Sequence, residues 1–325
     1  MRQRFIAGTR HRAIGLLLVL CLCVLSLSAC APIPPEEPTV PPSTETPTEP
    51  SQEPPTEPEP EPEPEPIPLD IIMHAGGGAN GRIYYNAQQL FYYYYNLGYR
   101  VFEYDCDLSA DGRIICTHGW ATFEVRGNTA TTYKTFKKLA LYDGYTPAYE
   151  EWLVETLIAY PDVTFIIDPK AYVGQSEVLV LQRWEAIEEE YGIDLSDRII
   201  PEITGKSMWD IAKVTTDFDR YIFSLYQEEY TGEELLTYFS DERIFAFSLH
   251  VYCPGNVRSY IDQMKSAGKA ILIFTPTTLE ELDLAVRMGA DGIYIDTPDL
   301  LPDANIVPAQ NLFPTKTTDD PIGDP

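Results

Sequence analysis

The chain has 325 residues, 44% of them hydrophobic, and a formal charge of −27 from 50 acidic and 23 basic side chains. Four of the basic residues (Arg2, Arg4, Arg10, Arg12) lie near the start and ten of the acids in a Pro/Glu tract, leaving 19 basic against 40 acidic elsewhere. An acidic surface of this kind disfavours nucleic-acid binding and adhesion to anionic lipid headgroups, and suits small soluble substrates.

The first thirty residues read as a targeting segment, with the four arginines as a basic n-region and Ile14 to Leu27 as an apolar stretch. That stretch is short of the about 20 residues that a membrane span needs. Leu27-Ser28-Ala29-Cys30 resembles the bacterial lipobox. The resemblance implies a signal peptide over residues 1–29, cleavage before Cys30 and lipid attachment to its thiol. A plain signal peptide is the competing reading. Residues 30–69 form the linker, dominated by Pro, Glu and Thr and ending in EPEPEPEPIP. Proline favours extended polyproline II and the glutamates repel one another, so the linker reads as a semi-rigid disordered spacer reaching roughly 100 Å. Together these features imply a protein lipid-anchored at the extracellular face of a bacterial membrane.

Residues 70–306 are of a size typical of one barrel domain, and the polar, Pro-rich tail 307–325 is expected to be flexible. Asp70 to His74 reads as a strand leading into the Gly-rich loop Ala75 to Gly81, and Asn86 to Leu97 as a helix ending at Gly98. Arg100 to Asp105 is the second strand. Arg113 to His118 returns as a hairpin, and Trp120 to Thr146 is a loop insertion beside it. Helix Pro147 to Tyr160, strand Val163 to Asp168, helix Gln175 to Tyr191 and strand Arg198 to Ile203 follow. Further strands are Arg220 to Leu225, Arg243 to Leu249, Ala270 to Phe274 and Gly292 to Ile295, with helices such as Asn256 to Ala267 and Leu279 to Met288 between them. Eight strands alternating with helices predict an α/β fold, a (β/α)8 TIM barrel, whose chemistry sits at the C-terminal strand ends.

The chemistry concentrates in VFEYDCDLSADGRIICTH, Val101 to His118. Glu103, Asp105 and Asp107 share one strand face, and Phe102, Tyr104 and Cys106 the other. Three mutually repelling acids suit a bound divalent cation, a hard ion that takes carboxylate oxygens; a solvated strand edge is the bland alternative. His74 and Asp168-Pro169-Lys170 end two other strands. Cys106, Cys116 and Cys253 are too few and odd in number for a disulfide framework. By alternation Cys106 faces away from Glu103 and Asp105 while Cys116 shares a face with His118, so no bridge between them is expected.

The order His74, Asn86, Glu103-Tyr104-Asp105, Asp111-Gly112, His118 and Asp168-Pro169-Lys170 resembles the glycerophosphodiester phosphodiesterase family, as does the ending GADGIYIDTPDLL. The resemblance runs from Asp70 to about Leu301. It implies a divalent cation (calcium or magnesium) held by Glu103, Asp105 and Asp168, with His74 and His118 as acid and base and Lys170 on the phosphate. It implies hydrolysis of a small phosphodiester to glycerol 3-phosphate and an alcohol, with no obligate protein partner. The family's His-Arg-Gly is here His74-Ala75-Gly76, leaving Arg82 or Lys170 to replace the arginine. Other readings are a phospholipase C-like or sphingomyelinase D-like phosphodiesterase, or an inactive surface binding module. His250 and Phe274 with Thr275 also end strands, where packing is the favoured role.

Overall fold

A computed structural model describes residues 64–119, 123, 131–171, 176–195, 197–226 and 228–313. The expected signal peptide, Cys30, the linker up to residue 63 and the tail from residue 314 lie outside the described residues. Ten strands occur in the described part: β1 Ile67–Met73, β2 Val101–Leu108, β3 Ile114–Cys116, β4 Thr164–Pro169, β5 Ile199–Thr204, β6 Tyr221–Ser224, β7 Ile244–His250, β8 Ala270–Phe274, β9 Gly292–Ile295 and β10 Ile306–Ala309. Eight of them pair in parallel in the order β1-β2-β4-β5-β6-β7-β8-β9, and β9 pairs back onto β1, closing a barrel. The (β/α)8 architecture expected from the sequence is therefore the observed one, with β3 and β10 added at its two rims.

The helices are α1 Gln88–Asn96, α2 Tyr133–Phe136, α3 Glu150–Ala159, α4 Glu177–Tyr191, α5 Lys206–Thr215, α6 Gly232–Phe239, α7 Gly255–Arg258, α8 Ile261–Ser266 and α9 Leu279–Arg287. Local chemistry sets several ends. Thr231 and Glu234 form a reciprocal capping box at the start of α6, and Gly192 takes the left-handed conformation after α4. The expected helix Asn256 to Ala267 is instead two short helices. Val257, Ile261 and Met264 are all buried, so the apolar stripe runs on across the break and periodicity alone does not reveal it.

Strand alternation divides the core in two. Outward residues such as Met73, Phe102, Tyr104, Phe165 and Phe247 pack under the helices. Inward residues Ile72, Val101, Ile166, Ile200, Ile222, Ala246 and Leu272 fill the barrel floor. Two residues further along β2, β4, β5, β6 and β7 the inward position turns polar: Glu103 and then Asp105, Asp168, Glu202, Ser224 and Ser248. The chain thus builds an apolar plug below and a polar bowl above from one period-two pattern.

Three expectations need correction. The linker does not run to residue 69, because β1 starts at Ile67, and the tail from 307 is not free. Ile306 to Ala309 pair in parallel with Ile67 to Asp70. Pro308 disguises β10 in the sequence, but an edge strand tolerates proline. Beyond it the Asp70 carboxylate accepts from the backbone N–H groups of Asn311 (3.0 Å) and Leu312 (3.0 Å), and Phe313 is fully buried beneath the barrel floor. Finally, Cys106 and Cys116 are direct cross-strand partners with sulfurs 3.8 Å apart. The expectation that they diverge used His118 as a guide to the face of Cys116. However, β3 ends at Cys116, and strand alternation does not extend to His118.

Candidate active site

Segments from all eight barrel strands meet at their C-terminal ends around a cavity of about 220 Å³. Its lining includes His74, Glu103, Asp105, His118, Asp168 and Lys170, so the six predicted site residues of the barrel share one pocket. Cys30, the predicted lipidation site, falls outside the described residues. Arg82 does not line the cavity; its guanidinium lies over the Tyr142 ring, 4.3 Å from the centroid.

The acids come from adjacent strands in register. Asp105 on β2 pairs with Asp168 on β4, and Glu103 lies one inward step below Asp105. One oxygen from each of Glu103, Asp105 and Asp168 lies within 4.8 Å of the others, a spacing that could hold a metal ion. Glu103 and Asp105 are 2% and 1% exposed, which excludes the solvated strand edge as a reading of β2. Asp107, third on the same face, is buried outside the lining and accepts from the Leu108 N–H at 2.7 Å.

Each acid is held individually. The Ala75 N–H donates to Glu103 Oε2 at 2.6 Å from a tight turn in which Ala75 adopts positive φ. The following Gly77 is sterically required, since a Cβ there would lie 2.1 Å from the Tyr94 ring. Asn86 grips Asp105 at both ends. Its amide donates to Oδ2 at 2.8 Å and its carbonyl accepts from the Asp105 N–H at 2.9 Å. Asn86 has φ 51°, a left-handed conformation that asparagine tolerates better than most residues. The Lys170 ammonium pairs with Asp168 and lies 3.1 Å from Asp105 Oδ1.

These contacts set the electrostatics. Burial, then the charges of Asp105 and Asp168, push the Glu103 carboxyl well up from its usual range. Burial acts on Asp105 in the same direction, but Lys170, His118, His74 and the Asn86 amide outweigh it and hold this acid low. Asp168 is pushed up because burial outweighs Lys170. Glu103 Oε1 and Asp168 Oδ1 are buried with no hydrogen-bond partner. Buried orphan acceptors beside a third carboxylate are costly, and a hard cation would satisfy them, so the donor set fits a divalent metal.

The histidines are positioned by groups that sequence reasoning did not single out. His74 Nδ1 donates to Asp296 Oδ1 at 2.8 Å, leaving Nε2 toward the acids, 3.9 Å from Glu103 Oε2. Asp296 directly follows the last residue of β9, so the strand-end rule that picked out His74 and Asp168 also applies to it. Tyr84 stands between the histidines: it stacks on His118 at 3.9 Å and meets His74 edge-on at 5.0 Å. Its φ of 61° is a strained conformation for a tyrosine, with no sequence signal.

Glu202 is a fourth acid in the cavity. It is 5% exposed and accepts from Ser248 Oγ (2.6 Å) and the Tyr294 hydroxyl (2.8 Å). His250, Phe274 and Thr275 also line the pocket, whereas Tyr94, one of four consecutive tyrosines from Tyr92 to Tyr95, is buried and donates to the Gly78 carbonyl.

No family model matches the sequence, and no curated protein matches it. Solved structures do. A glycerophosphodiester phosphodiesterase of Parabacteroides distasonis is 15% identical with a TM-score of 0.60, over 74% of this chain and 98% of that one. A phosphodiesterase of Oleispira antarctica, solved in complex with the product sn-glycerol-3-phosphate, is 16% identical with a TM-score of 0.57, over 72% and 96%. A glycerophosphodiester phosphodiesterase of Thermotoga maritima is 18% identical with a TM-score of 0.56, over 72% and 97%. At such identities the likeness establishes a shared fold across nearly the whole length of those chains.

Proposed function

We propose that this protein is a metal-dependent phosphoric diester hydrolase of the glycerophosphodiester phosphodiesterase family, releasing glycerol 3-phosphate and an alcohol. The observation that carries the reading is the convergence of Glu103, Asp105 and Asp168 with His74 and His118 in one cavity. The solved structures sharing the fold, one with sn-glycerol-3-phosphate bound, support the substrate class.

Glu103, Asp105 and Asp168 are the proposed ligands, and a calcium or magnesium ion bound there would offset phosphoryl charge and orient the attacking oxygen. His74 moves a proton at Nε2, since Nδ1 is engaged by Asp296. The Asp296 carboxylate fixes the ring and balances the charge gained on protonation. His118, held face-on by Tyr84, is the second proton-transfer group. One histidine takes the proton of the nucleophile and the other protonates the leaving alkoxide. Lys170 is assigned to the phosphate in place of the missing arginine. The lipobox resemblance supports anchoring through Cys30 at the extracellular face, and fatty-acid labelling that persists in Cys30→Ala would refute it.

The test is an assay of the full chain against glycerophosphocholine and glycerophosphoethanolamine, with calcium, magnesium or chelator. Cation-dependent release of glycerol 3-phosphate is expected. Binding of the diester without turnover under either cation would replace this reading with that of a binding module.

A further inference from the structure

We propose that Cys106 and Cys116 are a disulfide site that staples the hairpin carrying the candidate active site. The inference depends on neither substrate nor cation. The two residues face each other in the antiparallel β2–β3 register, are fully buried, and their free thiols lie 3.8 Å apart. The backbone chemistry identifies the type of pair. The Cys106 carbonyl accepts from the Lys170 N–H (2.7 Å), and the Cys116 N–H donates to the Ala148 carbonyl (3.1 Å). Both polar groups therefore point away from the partner strand, making this a non-hydrogen-bonded pair, in which the Cα atoms approach to about 4.5 Å and the side chains are closest. That separation falls within the roughly 4.4–6.8 Å window of disulfides, and the sulfurs need to close by about 1.8 Å. Cys253, buried apart from them, serves as an internal control.

The position gives the link a consequence. β3 has three residues, and its outer side is met by the bridge of Ile115 to Tyr149 and the Cys116–Ala148 hydrogen bond. Asp105 directly precedes Cys106, and His118 follows Cys116 by two positions. A bond between the sulfurs would fix the strand bearing one proposed metal ligand to the strand leading into one proposed catalytic histidine.

The oxidant is a small-molecule disulfide, met during folding before the two thiols are buried. One protein thiolate attacks it, forming a mixed disulfide and releasing one thiol. The second protein thiolate attacks the protein sulfur of that mixed disulfide and releases the other thiol. The protein loses two electrons and two protons, and both appear in the two released thiols.

Trypsin makes the test direct, because Arg113 lies between the two cysteines. The full chain is unfolded and refolded in the presence of glutathione disulfide, denatured in alkylating agent without reductant, and digested. Peptides 101–113 and 114–126 are expected as one linked species about 2 Da lighter than their sum, with Cys253 alkylated. Both peptides alkylated separately, or both carrying glutathione, would overturn the proposal. The linked form is expected to melt about 5–10 °C above the reduced form, for a closed loop of roughly eleven residues. The Cys106→Ala/Cys116→Ala double variant is expected to lose that reductant dependence. A linked protein whose melting ignores reductant would overturn the stapling role.

Discussion

Asn86→Ala tests how far the acid cluster depends on its support. The substitution removes two hydrogen bonds at a fully buried position, one donated to the Asp105 carboxylate and one accepted from the Asp105 N–H. A bond to a charged acceptor is worth about 1.5–3 kcal/mol, and a buried N–H left unsatisfied costs about 1–3 kcal/mol. Alanine also tolerates the left-handed backbone poorly, adding about 1 kcal/mol. The total, roughly 4–7 kcal/mol, is a large fraction of the about 5–15 kcal/mol of a typical domain and corresponds to a fall in Tm of about 8–28 °C. Loss of a group that orients a metal ligand further weakens cation affinity by about 10–100-fold. Asn86→Asp keeps the acceptor for the Asp105 N–H but replaces the donor with a buried carboxylate that repels Asp105, so its Tm in chelator is expected to fall at least as far as that of Asn86→Ala. Calorimetric unfolding in chelator and calorimetric titration with calcium and magnesium provide the two readouts. If Asn86→Ala shifts Tm by less than about 3 °C and leaves the cation Kd within about twofold, the clamp is not what holds Asp105.

Glu202→Gln probes the fourth acid: burial, then the charge of Asp168, push the Glu202 carboxyl up to about 7. Because that folded-state value lies above the ordinary one, its contribution is complete below about pH 4.5 and is lost as pH rises through 7, costing on the order of 3 kcal/mol. The Tm of Glu202→Gln relative to wild type, in chelator, is expected to rise by about 6–12 °C between pH 4.5 and pH 8, and parallel curves would refute the assignment. Lys170→Met removes the ammonium that pairs with Asp105 and Asp168. Without cation the variant melts below wild type, and the rise in Tm on adding calcium or magnesium is larger than in wild type; an unchanged rise would mean that Lys170 does not compete for these carboxylates. His74→Ala and His118→Ala are each expected to lower kcat by about 10²–10⁴-fold with the cation Kd nearly unchanged, and full turnover by either would remove that histidine from the chemistry.

What the sequence disclosed, and what it hid, follows one physical division. Period-two alternation and strand ends are local properties, and they located Glu103, Asp105, Asp168, His74 and Lys170, whose side chains do share a cavity. The same local rule applies to Asp296 and Glu202, but each gains its meaning only across the barrel. Asp296 lies 222 positions from the His74 it holds, and Glu202 lies 92 from Tyr294. That Cys106 and Cys116 face each other was missed for a related reason: facing residues are fixed by register across the hairpin, not by alternation within either strand. β10 was hidden by Pro308, which is a breaker in a central strand and harmless on an edge. Tyr84 depends on a backbone conformation that no residue pattern announces. Asn86 lies between these cases. Its presence was legible as part of a family resemblance, yet its function is visible only as a pair of hydrogen bonds that close on Asp105 from a left-handed turn. The proposed metal-binding acids are therefore written along single strands. The groups that aim them are distributed around the closed barrel, and barrel closure brings strands from distant parts of the chain into contact.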